Sequence, residues 1–424
     1  MEAPRRVDPS KALEVLVGKA RPRKGTTHAI ESAPRGYLAT AIDLGRIPCG
    51  NGRGTGARRA AWNGYAAPAA LAGSLEGALC RVLGVIDSSG RALLETGSST
   101  GSTSCAIELW RLESGAPVPD ACDRIIRVRD AVLTGAGIIR IDQVPEPGAG
   151  IAPAPGTAGS PGSAIFEPGT FLDGRLRAQL AACGVRSVAL RPSFTVALAA
   201  VGAEVSKPGS PGTETTPDAT GPWLEEAIES LGLTVLPLGI LPDSPERIRD
   251  AILHLRGRSD VLLLSGGMGD GVTDRTVEAL QRFDAQISFE AIALEGARGL
   301  LLARAQDVEV LGIGGKPLET AALFDLFVRP ALLARLGASP TLWDWRRFRL
   351  EVPAPPPSRG PRQGGASIVL PAALRPDAAL GVHLEAWAPG TPFLSRLPGQ
   401  EGWAILPASV EGPLRAHYQP LATT

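Results

Sequence analysis

Three glycine-rich turns are the segments of this sequence best suited to bind a phosphate. Short apolar runs end at Gly202, at Ser265-Gly266-Gly267 and at Gly314-Gly315. Glycine in such a turn lets backbone N–H groups approach an anion, and a helix that begins beside it adds the positive end of its dipole. The Ser265 turn is the best candidate, because strand, glycine turn and helix follow one another there. The alternative, that all three are turns without a ligand, stays open.

Acidic residues near these turns are suited to hold a divalent metal. They are Glu204, Asp218, Asp270 and Asp274. Carboxylates beside a phosphate are typical ligands of Mg²⁺. Asp218 and Asp274 are placed equally well to cap the helices that follow them, so both interpretations remain. Lys316, beside the third turn, is positioned either to pair with an anion or to lie in solvent.

The elements around the turns predict a mostly parallel sheet covered by helices on both faces. Short apolar runs alternate there with helical stretches, which is typical of α/β proteins. The predicted strands are 195–201, 233–238, 260–264 and 309–313, and the predicted helices are 222–231, 245–256, 274–282 and 318–335. Ligands of such sheets bind beyond the carboxyl ends of the strands.

The remaining segments predict smaller units. Residues 8–20 predict a helix with Asp8 as N-cap, and residues 173–183 predict a helix that ends at Gly184. Residues 45–70 are interpreted as a loop. Strands of a small β unit are predicted at 79–86, 105–112, 124–128 and 137–141. Residues 145–169, rich in proline and glycine, predict a linker or an extended surface loop, residues 353–365 predict a linker, and residues 366–410 predict a second small β domain.

The composition of the chain indicates which kinds of binding partner and which cell compartment are expected. The 424 residues carry 43 basic and 43 acidic side chains, a balance that gives no reason to expect nucleic acid or an anionic membrane as partner. No apolar run approaches the roughly 20 residues that span a bilayer, and we expect a cytoplasmic protein. The five cysteines form no Cys-x-x-Cys pair, which favours buried free thiols, and the four dispersed histidines do not favour a histidine metal site.

Several segments, taken together, resemble the molybdopterin molybdenumtransferases. Residues 113–123 resemble the Thr-Gly-Ala-Pro-Leu-Pro segment of that family, and residues 264–274 resemble its Ser-Gly-Gly loop. The helix at 8–20 and the segment from Phe166 to Gly184 also correspond. Further similar segments are 321–332, 393–397 and 403–407. They follow the order of the family over nearly the whole chain.

The resemblance implies a multidomain α/β protein with four structural units. A mostly parallel sheet domain, related to the molybdopterin adenylyltransferases, would cover 183–339. An N-terminal helix at 1–24 would pack on it. A linking domain would combine 25–47 with 125–182, an inserted β domain would cover 48–124, and a C-terminal β barrel would cover 340–424. The family also implies a homodimer.

The resemblance further implies a reaction and its site residues. Molybdate would replace the adenylyl group of adenylated molybdopterin, with Mg²⁺ held by Asp218 and Asp274. These two acids, with Glu204 and Asn63, would be the catalytic residues. The ligand would be held by Ser265, Gly266, Gly267, Gly314, Gly315 and Lys316.

The sequence departs from the family at several of these positions. Asn63 stands where the family has a functional aspartate, and the amide cannot act as an anion. Residues 151–155 lack the family's arginine, and the segment ending at Glu204 retains only one of two acids. Residues 295–299 replace the family's Pro-Gly-Lys-Pro, and 314–317 replace its Pro-Gly-Asn-Pro. Arg58, Arg59, Arg298 and Lys316 are the basic residues available to replace lost ones.

Three functional interpretations follow. The first is an active transferase with an eroded site. The second is a relative that binds molybdopterin or the finished cofactor without inserting the metal, as a carrier or chaperone whose partner is a molybdoenzyme or a molybdopterin adenylyltransferase. The third is a structural dimer without a pterin ligand. The retained glycine turn and acids favour the first two.

Overall fold

A computed structural model provides the structure of this protein. It describes residues 6–43, 58–95, 107–135, 137–152, 165–209, 215–268, 275–338, 344–351, 367–377, 381–386, 402–406 and 415–420. The predicted linker at 353–365 therefore lies outside the described residues. None of the described helices is both long and apolar enough to cross a membrane.

The first helix, α1 (Pro9–Gly18), begins where the sequence predicts. The Asp8 side chain accepts a hydrogen bond from the backbone N–H of Ser10 at 2.8 Å, and Pro9 occupies the first turn. Leu13 and Leu16 are buried on its inner face. Short strands flank this helix: β1 (Arg6–Val7), β2 (Thr26–Ala29), β3 (Gly36–Tyr37) and β4 (Ile42–Asp43).

A seven-stranded sheet forms the next unit. Its strands and the short strand before them are β5 (Arg59–Ala60), β6 (Gly64–Pro68), β7 (Leu79–Ile86), β8 (Ala92–Glu95), β9 (Ile107–Leu112), β10 (Cys122–Arg127), β11 (Ala131–Gly135) and β12 (Ile138–Ile141). The sheet order is β10-β6-β9-β7-β12-β11, and β8 pairs with β7. Among the described cysteines, none forms a disulfide; Cys80 and Cys122 are buried, as the sequence predicts, whereas Cys183 is half-buried.

The interpretation of residues 45–70 as a loop is wrong for their second half. β6 lies between β9 and β10, and its residues Tyr65, Ala66 and Ala67 are buried. Alanine and glycine are poor strand formers by propensity, so neighbouring strands and burial decide this segment. Residues 44–57 lie outside the described residues.

Short antiparallel pairs connect the two halves of the N-terminal region. β13 (Ile151–Ala152) pairs with β5, β14 (Ile165–Phe166) with β4, β15 (Phe171–Leu172) with β3, and β16 (Ser187–Leu190) with β2. Part of the predicted 145–169 linker is therefore paired strand. Helix α2 (Gly174–Ala182) is capped by Asp173 and followed by Gly184 at φ +83°, close to the prediction.

The parallel sheet is present as predicted, with two additional strands. Its elements in chain order are β17 (Thr195–Val201), β18 (Val205–Ser206), β19 (Thr216–Pro217), α3 (Gly221–Ser230), β20 (Thr234–Leu241), α4 (Pro245–His254), β21 (Val261–Ser265), α5 (Thr276–Arg282), β22 (Gln286–Phe289), β23 (Ala291–Ile292), β24 (Leu294–Glu295), β25 (Leu300–Ala305) and β26 (Val308–Ile313). The six-stranded sheet has the order β20-β17-β21-β26-β25-β22, and its first four strands are parallel. β25 and β22 are antiparallel additions at one side.

Alternating side chains of the central strands pack against helices on both faces of this sheet. In β17, Val196 and Leu198 belong to the core that includes α3, whereas Ala197 and Ala199 belong to the core that includes α4 and α5. A strand buried on both faces is expected to be apolar throughout. The pattern explains why these strands are readable from the sequence.

The last helical segment and the final strands complete the fold. The predicted helix at 318–335 is α6 (Pro317–Leu323), a π-helical turn (Phe324–Val328) and α7 (Arg329–Arg335). The final strands are β27 (Asp344–Glu351), β28 (Ser367–Asp377), β29 (Gly381–Ala386), β30 (Gly402–Leu406) and β31 (Arg415–Pro420). They pair in the order β28-β29-β27-β31-β30, and β30 pairs again with β28.

Candidate functional site

Two of the predicted glycine turns lie against each other at the carboxyl edge of the parallel sheet. Ser265 ends β21 and is level with Ile313, which ends β26. The backbone N–H of Gly266 donates to the carbonyl of Ile313 at 2.9 Å. A Cβ atom on Gly315 would lie 3.0 Å from the Cα of Gly266. The absence of a side chain on Gly315 therefore allows the two turns to meet.

Glycine is required by the backbone of the Ser265 turn itself. Gly266 and Gly267 have φ angles of +98° and +67°, which L-residues with side chains rarely adopt. A Cβ on Gly266 would overlap the carbonyl oxygen of Val201, and one on Gly267 would lie 2.9 Å from Val201 Cγ1. Replacing Gly267 with leucine would therefore damage the fold as well as any ligand site, so this substitution does not test binding cleanly.

Three polar side chains connect the Ser265 turn with the start of α3. The Thr220 hydroxyl lies 3.2 Å from the Ser265 hydroxyl and also donates to Asp218 Oδ1 at 3.2 Å. Asp218 Oδ1 accepts two further bonds, from the N–H of Thr220 at 3.0 Å and from that of Gly221 at 2.8 Å. Asp218 is thus engaged just before α3, where it accepts hydrogen bonds from the backbone of Thr220, the N-cap residue, and of Gly221.

Thr276 presents an unpaired hydroxyl beneath the same turn. Its side chain is fully buried, and Thr276 Oγ1 has no hydrogen-bond partner among the residues that the structure describes. The oxygen would lie 2.8 Å from a Cβ on Gly267, so it packs directly against that glycine. A buried polar atom without a partner is costly and is often found at a functional site.

Glu319 occupies the other turn. Its carboxylate packs against Gly314, and Glu319 Oε1 accepts a hydrogen bond from the N–H of Gly299 at 3.0 Å. Thr320 Oγ1 donates to the carbonyl of Gly314 at 2.6 Å. An acidic side chain already lies at the positive end of α6, which makes the turn at Gly314 and Gly315 less favourable for an anion than the Ser265 turn.

The charged residues predicted around the edge lie near the surface. Glu204 is exposed, and its carboxylate lies against Gly202. Lys316 and Arg298 are also exposed. The side chain of Lys316 makes no hydrogen bond or ion pair with the described residues. These two cations are available to attract an anionic ligand at long range.

Asn63 is not part of this cluster. Its Oδ1 accepts a hydrogen bond from the N–H of Ser114 at 2.7 Å, within the sheet of β6, β9 and β10. No hydrogen bond among the described residues connects it with the Ser265 turn. Its sheet is separate from the parallel sheet, and the role of Asn63 beside the other site residues stays a prediction.

Arg58 and Arg59 stabilise the backbone next to Asn63. The Arg58 guanidinium donates to the carbonyls of Pro119 and Asp120 at 3.1 and 2.9 Å. That of Arg59 donates to the carbonyls of Ser88 and Gly115 at 2.9 and 2.6 Å. Through these bonds, both guanidinium groups stabilise the structure of the backbone around them.

The described residues alone do not form a metal site. Asp270 and Asp274 lie outside them, and no group of three potential ligands is found among the residues that are described. Asp218 offers a single carboxylate whose Oδ1 is already engaged.

Sequence reasoning missed Thr220, Thr276 and Glu319. Thr220 directly precedes Gly221-Pro222, a common start of a helix, which offered a signal for an N-cap. Glu319 lies in the first turn of α6, where acids are favoured. The burial of Thr276 depends on packing against Gly267, which has no local sequence signal.

Comparison with known proteins gives consistent similarities. A family model described as a probable molybdopterin binding domain matches residues 197–334. A molybdopterin molybdenumtransferase of Synechococcus elongatus is 27% identical over 301 residues, which are 70% of this chain and 71% of that protein. The corresponding transferase of Haemophilus influenzae is 25% identical over 227 residues, which are 53% of this chain and 55% of that protein.

A solved structure resembles the whole fold. It is that of a molybdopterin biosynthesis MoeA protein from Pyrococcus horikosii, with a TM-score of 0.63 and 21% identity. The match covers 97% of this chain and 98% of that one. At this identity the similarity establishes the fold.

Proposed function

We propose, from the premise that this chain is a divergent member of the molybdopterin molybdenumtransferase family, that it binds molybdopterin or adenylated molybdopterin at the Ser265 turn. Molybdenum-cofactor biosynthesis is the function of the proteins that it resembles. The observation that carries the proposal is the meeting of the turns at Gly266 and Gly315 at the carboxyl edge of the sheet. Ligands of open α/β sheets bind at such an edge.

The phosphate end of the pterin would be held by the Ser265 turn. The backbone N–H of Gly267 would donate to it, because glycine has no side chain that could cover this group, whereas the N–H of Gly266 is already bonded to the carbonyl of Ile313. Lys316 would add a positive charge from the neighbouring turn. Thr276 would donate its unpaired hydroxyl when the turn adjusts to the ligand, which would remove the cost of leaving it buried without a partner.

The proposal includes Mg²⁺, which would bind together with the ligand. Asp218, through its Oδ2 atom, and Asp274 would hold it together with phosphate oxygens, as is usual for Mg²⁺. The ion would supply charge stabilisation at the phosphate that is cleaved when molybdate replaces the adenylyl group.

Insertion of molybdate is proposed to be slow. Asn63 supplies an amide where the family has a carboxylate, and residues 151–155 supply no arginine. Loss of one charge-assisted interaction costs on the order of 1.5–3 kcal/mol, and about 1.4 kcal/mol corresponds to tenfold in rate. Two or three such losses would reduce turnover by a few orders of magnitude, while binding through backbone N–H groups is retained.

The second candidate function is a molybdopterin-binding relative that does not insert the metal, as a carrier or chaperone for a molybdoenzyme. The amide of Asn63 favours this alternative, because it cannot supply the negative charge of the carboxylate that the family has at this position. Its functional unit is proposed to be a homodimer, and the final strands to be a barrel, which the repeated pairing of β30 with β28 supports. A structural dimer without ligand is the third alternative.

Complementation separates these functions. A strain that lacks its own molybdenumtransferase would express this chain, and total molybdoenzyme activity would be measured. Full restoration identifies an active transferase. No restoration, together with tight binding of molybdopterin to the purified protein, identifies the carrier. No binding of molybdopterin or its adenylated form contradicts both and leaves the structural dimer.

A further inference from the structure

A shallow surface depression of about 470 Å³, largely open to solvent, lies at one end of the sheet that contains β6, β9 and β10. Half of its lining residues are arginines, and no lining residue is acidic. The lining consists of Trp62, Asn63, Arg111, Arg127, Val128 and Arg129. We refer to it as the Trp62 pocket.

Strand register brings these residues together from three separate segments. Arg127 ends β10 and pairs with Gly64, the first residue of β6. Gly64 pairs on its other side with Leu112, the last residue of β9. The residues next to these three positions therefore meet at one end of the sheet, although they are up to about 65 residues apart in sequence.

The positive charge of the pocket is poorly compensated. The Arg127 guanidinium lies over the Trp62 ring, 4.2 Å from its centre, which fixes its position without neutralising it. Arg129 approaches Asp130 at 3.7 Å, but its side chain is 73% exposed, so this ion pair is weak. The side chain of Arg111 makes no ion pair or hydrogen bond with the rest of the described chain. By contrast, nearby Arg124 is paired at 2.8 Å with Asp123.

Asn63 contributes hydrogen-bond donors to the same pocket. Its Oδ1 accepts the bond from Ser114, which leaves the two N–H groups of Nδ2 as donors. A carboxylate at this position would accept the same bond but would attract the arginines to itself and repel an anion. The amide therefore suits an anionic ligand better than the acid does.

We propose that the Trp62 pocket binds a tetrahedral oxyanion group, either free or as a phosphate ester. Guanidinium groups recognise such groups through paired N–H donors, and Arg111, Arg127 and Arg129 supply them from two strands. The Asn63 amide adds a neutral donor. This inference goes beyond the proposed function, with which it shares Asn63; it rests on the three arginines, which the proposed function does not use.

The test is calorimetric titration of the full chain at low ionic strength with inorganic phosphate, molybdate, AMP and adenosine. Wild-type protein is expected to bind at least one of the three anions saturably, at one site per chain, and not to bind adenosine. The Arg111→Gln/Arg127→Gln double variant is expected to bind that anion at least about tenfold more weakly, which corresponds to about 1.4 kcal/mol. Tighter binding of AMP than of phosphate would identify an ester as the ligand, and equal binding would identify the free oxyanion.

Two further variants make the result interpretable. Arg140→Gln removes the same charge from β12, where Arg140 pairs with Asp142 at 2.8 Å outside the pocket, and should bind as wild type does. Asn63→Asp retains the arginines and the Ser114 bond and should also weaken binding about tenfold or more. If no anion binds saturably, or if both pocket variants bind as tightly as Arg140→Gln, the proposal is overturned.

Discussion

The hydroxyl oxygen of Thr220 lies 3.2 Å from the hydroxyl oxygen of Ser265, and both side chains are buried. Ser265 ends the central strand β21, whereas Thr220 precedes α3. The bond therefore ties the position of the candidate phosphate-binding turn to the start of a helix on one face of the sheet. Because Thr220 also donates to Asp218, the three side chains form one hydrogen-bonded chain, and a substitution at one of them affects the hydrogen bonds of the other two.

The first prediction concerns this coupling. Ser265→Ala and Thr220→Val should each lower the free energy of unfolding, and the double variant should lose less than their sum. The expected interaction energy is about 0.5–1.5 kcal/mol, the usual net value of one hydrogen bond. Urea denaturation of the four proteins measures it. Strict additivity would mean that the two hydroxyls do not share a bond.

The second prediction separates the capping and metal-binding tasks of Asp218. Asp218→Ala removes the acceptor of the bonds from Thr220 and Gly221 and should cost about 0.5–2 kcal/mol in the free energy of unfolding. Asp218→Asn retains an oxygen acceptor and should cost less. If Asp218 also holds Mg²⁺, the asparagine variant should lose the effect of Mg²⁺ on the binding of adenylated molybdopterin. An unchanged Mg²⁺ effect would restrict this residue to capping.

The third prediction is that removing the Thr276 hydroxyl raises the stability of the protein and weakens ligand binding. Thr276→Val has nearly the same shape and removes an unpaired buried hydroxyl, so it should stabilise the ligand-free protein by about 1–3 kcal/mol. It should at the same time weaken the binding of molybdopterin, because a donor to the ligand is lost. Thr276→Ser, which retains the hydroxyl, is the matched control. A valine variant with wild-type affinity would exclude a ligand contact for this hydroxyl.

The fourth prediction concerns insertion of molybdate. Asn63→Asp should raise the rate of insertion into adenylated molybdopterin if the rest of the site is intact, because it restores the carboxylate that the family resemblance implies. The fold should be unaffected, since the new side chain still accepts the bond from the Ser114 N–H. Single-turnover assays of both proteins measure the rate. A wild-type rate similar to that of ordinary family members would show that other residues already supply the missing function.

The fifth prediction is a pH dependence of stability. The hydrogen bonds from Arg124 lower the pKa of Asp123 below its ordinary value of 3.8. This stabilisation is complete above the ordinary pKa and is lost as the pH falls through the lower pKa of the folded state. Asp123→Asn should therefore be less stable than wild type at neutral pH, and the difference should shrink in acid. Thermal unfolding of both proteins across this range measures it; a difference that stays constant in acid would contradict the assignment.

The sequence by itself determined the parallel sheet and its glycine turns. The strands β17 and β21 are apolar throughout because both of their faces are buried. Such an apolar run can be recognised in the sequence without knowing which strands pair with it. Helices with local caps, such as Asp8 before α1 and Ser244 before α4, were equally predictable. Caps depend on residues only two or three positions apart.

Only the tertiary structure decided what depends on contacts between distant segments. β6 is a strand because β9 and β10 pair with it on both sides, against the weak propensity of its alanines. The unpaired hydroxyl of Thr276 exists because packing places it under Gly267. Likewise, the arginines of the Trp62 pocket meet through strand register. Such contacts cannot be predicted from local sequence, because the stabilising interactions form only when the distant segments are brought together.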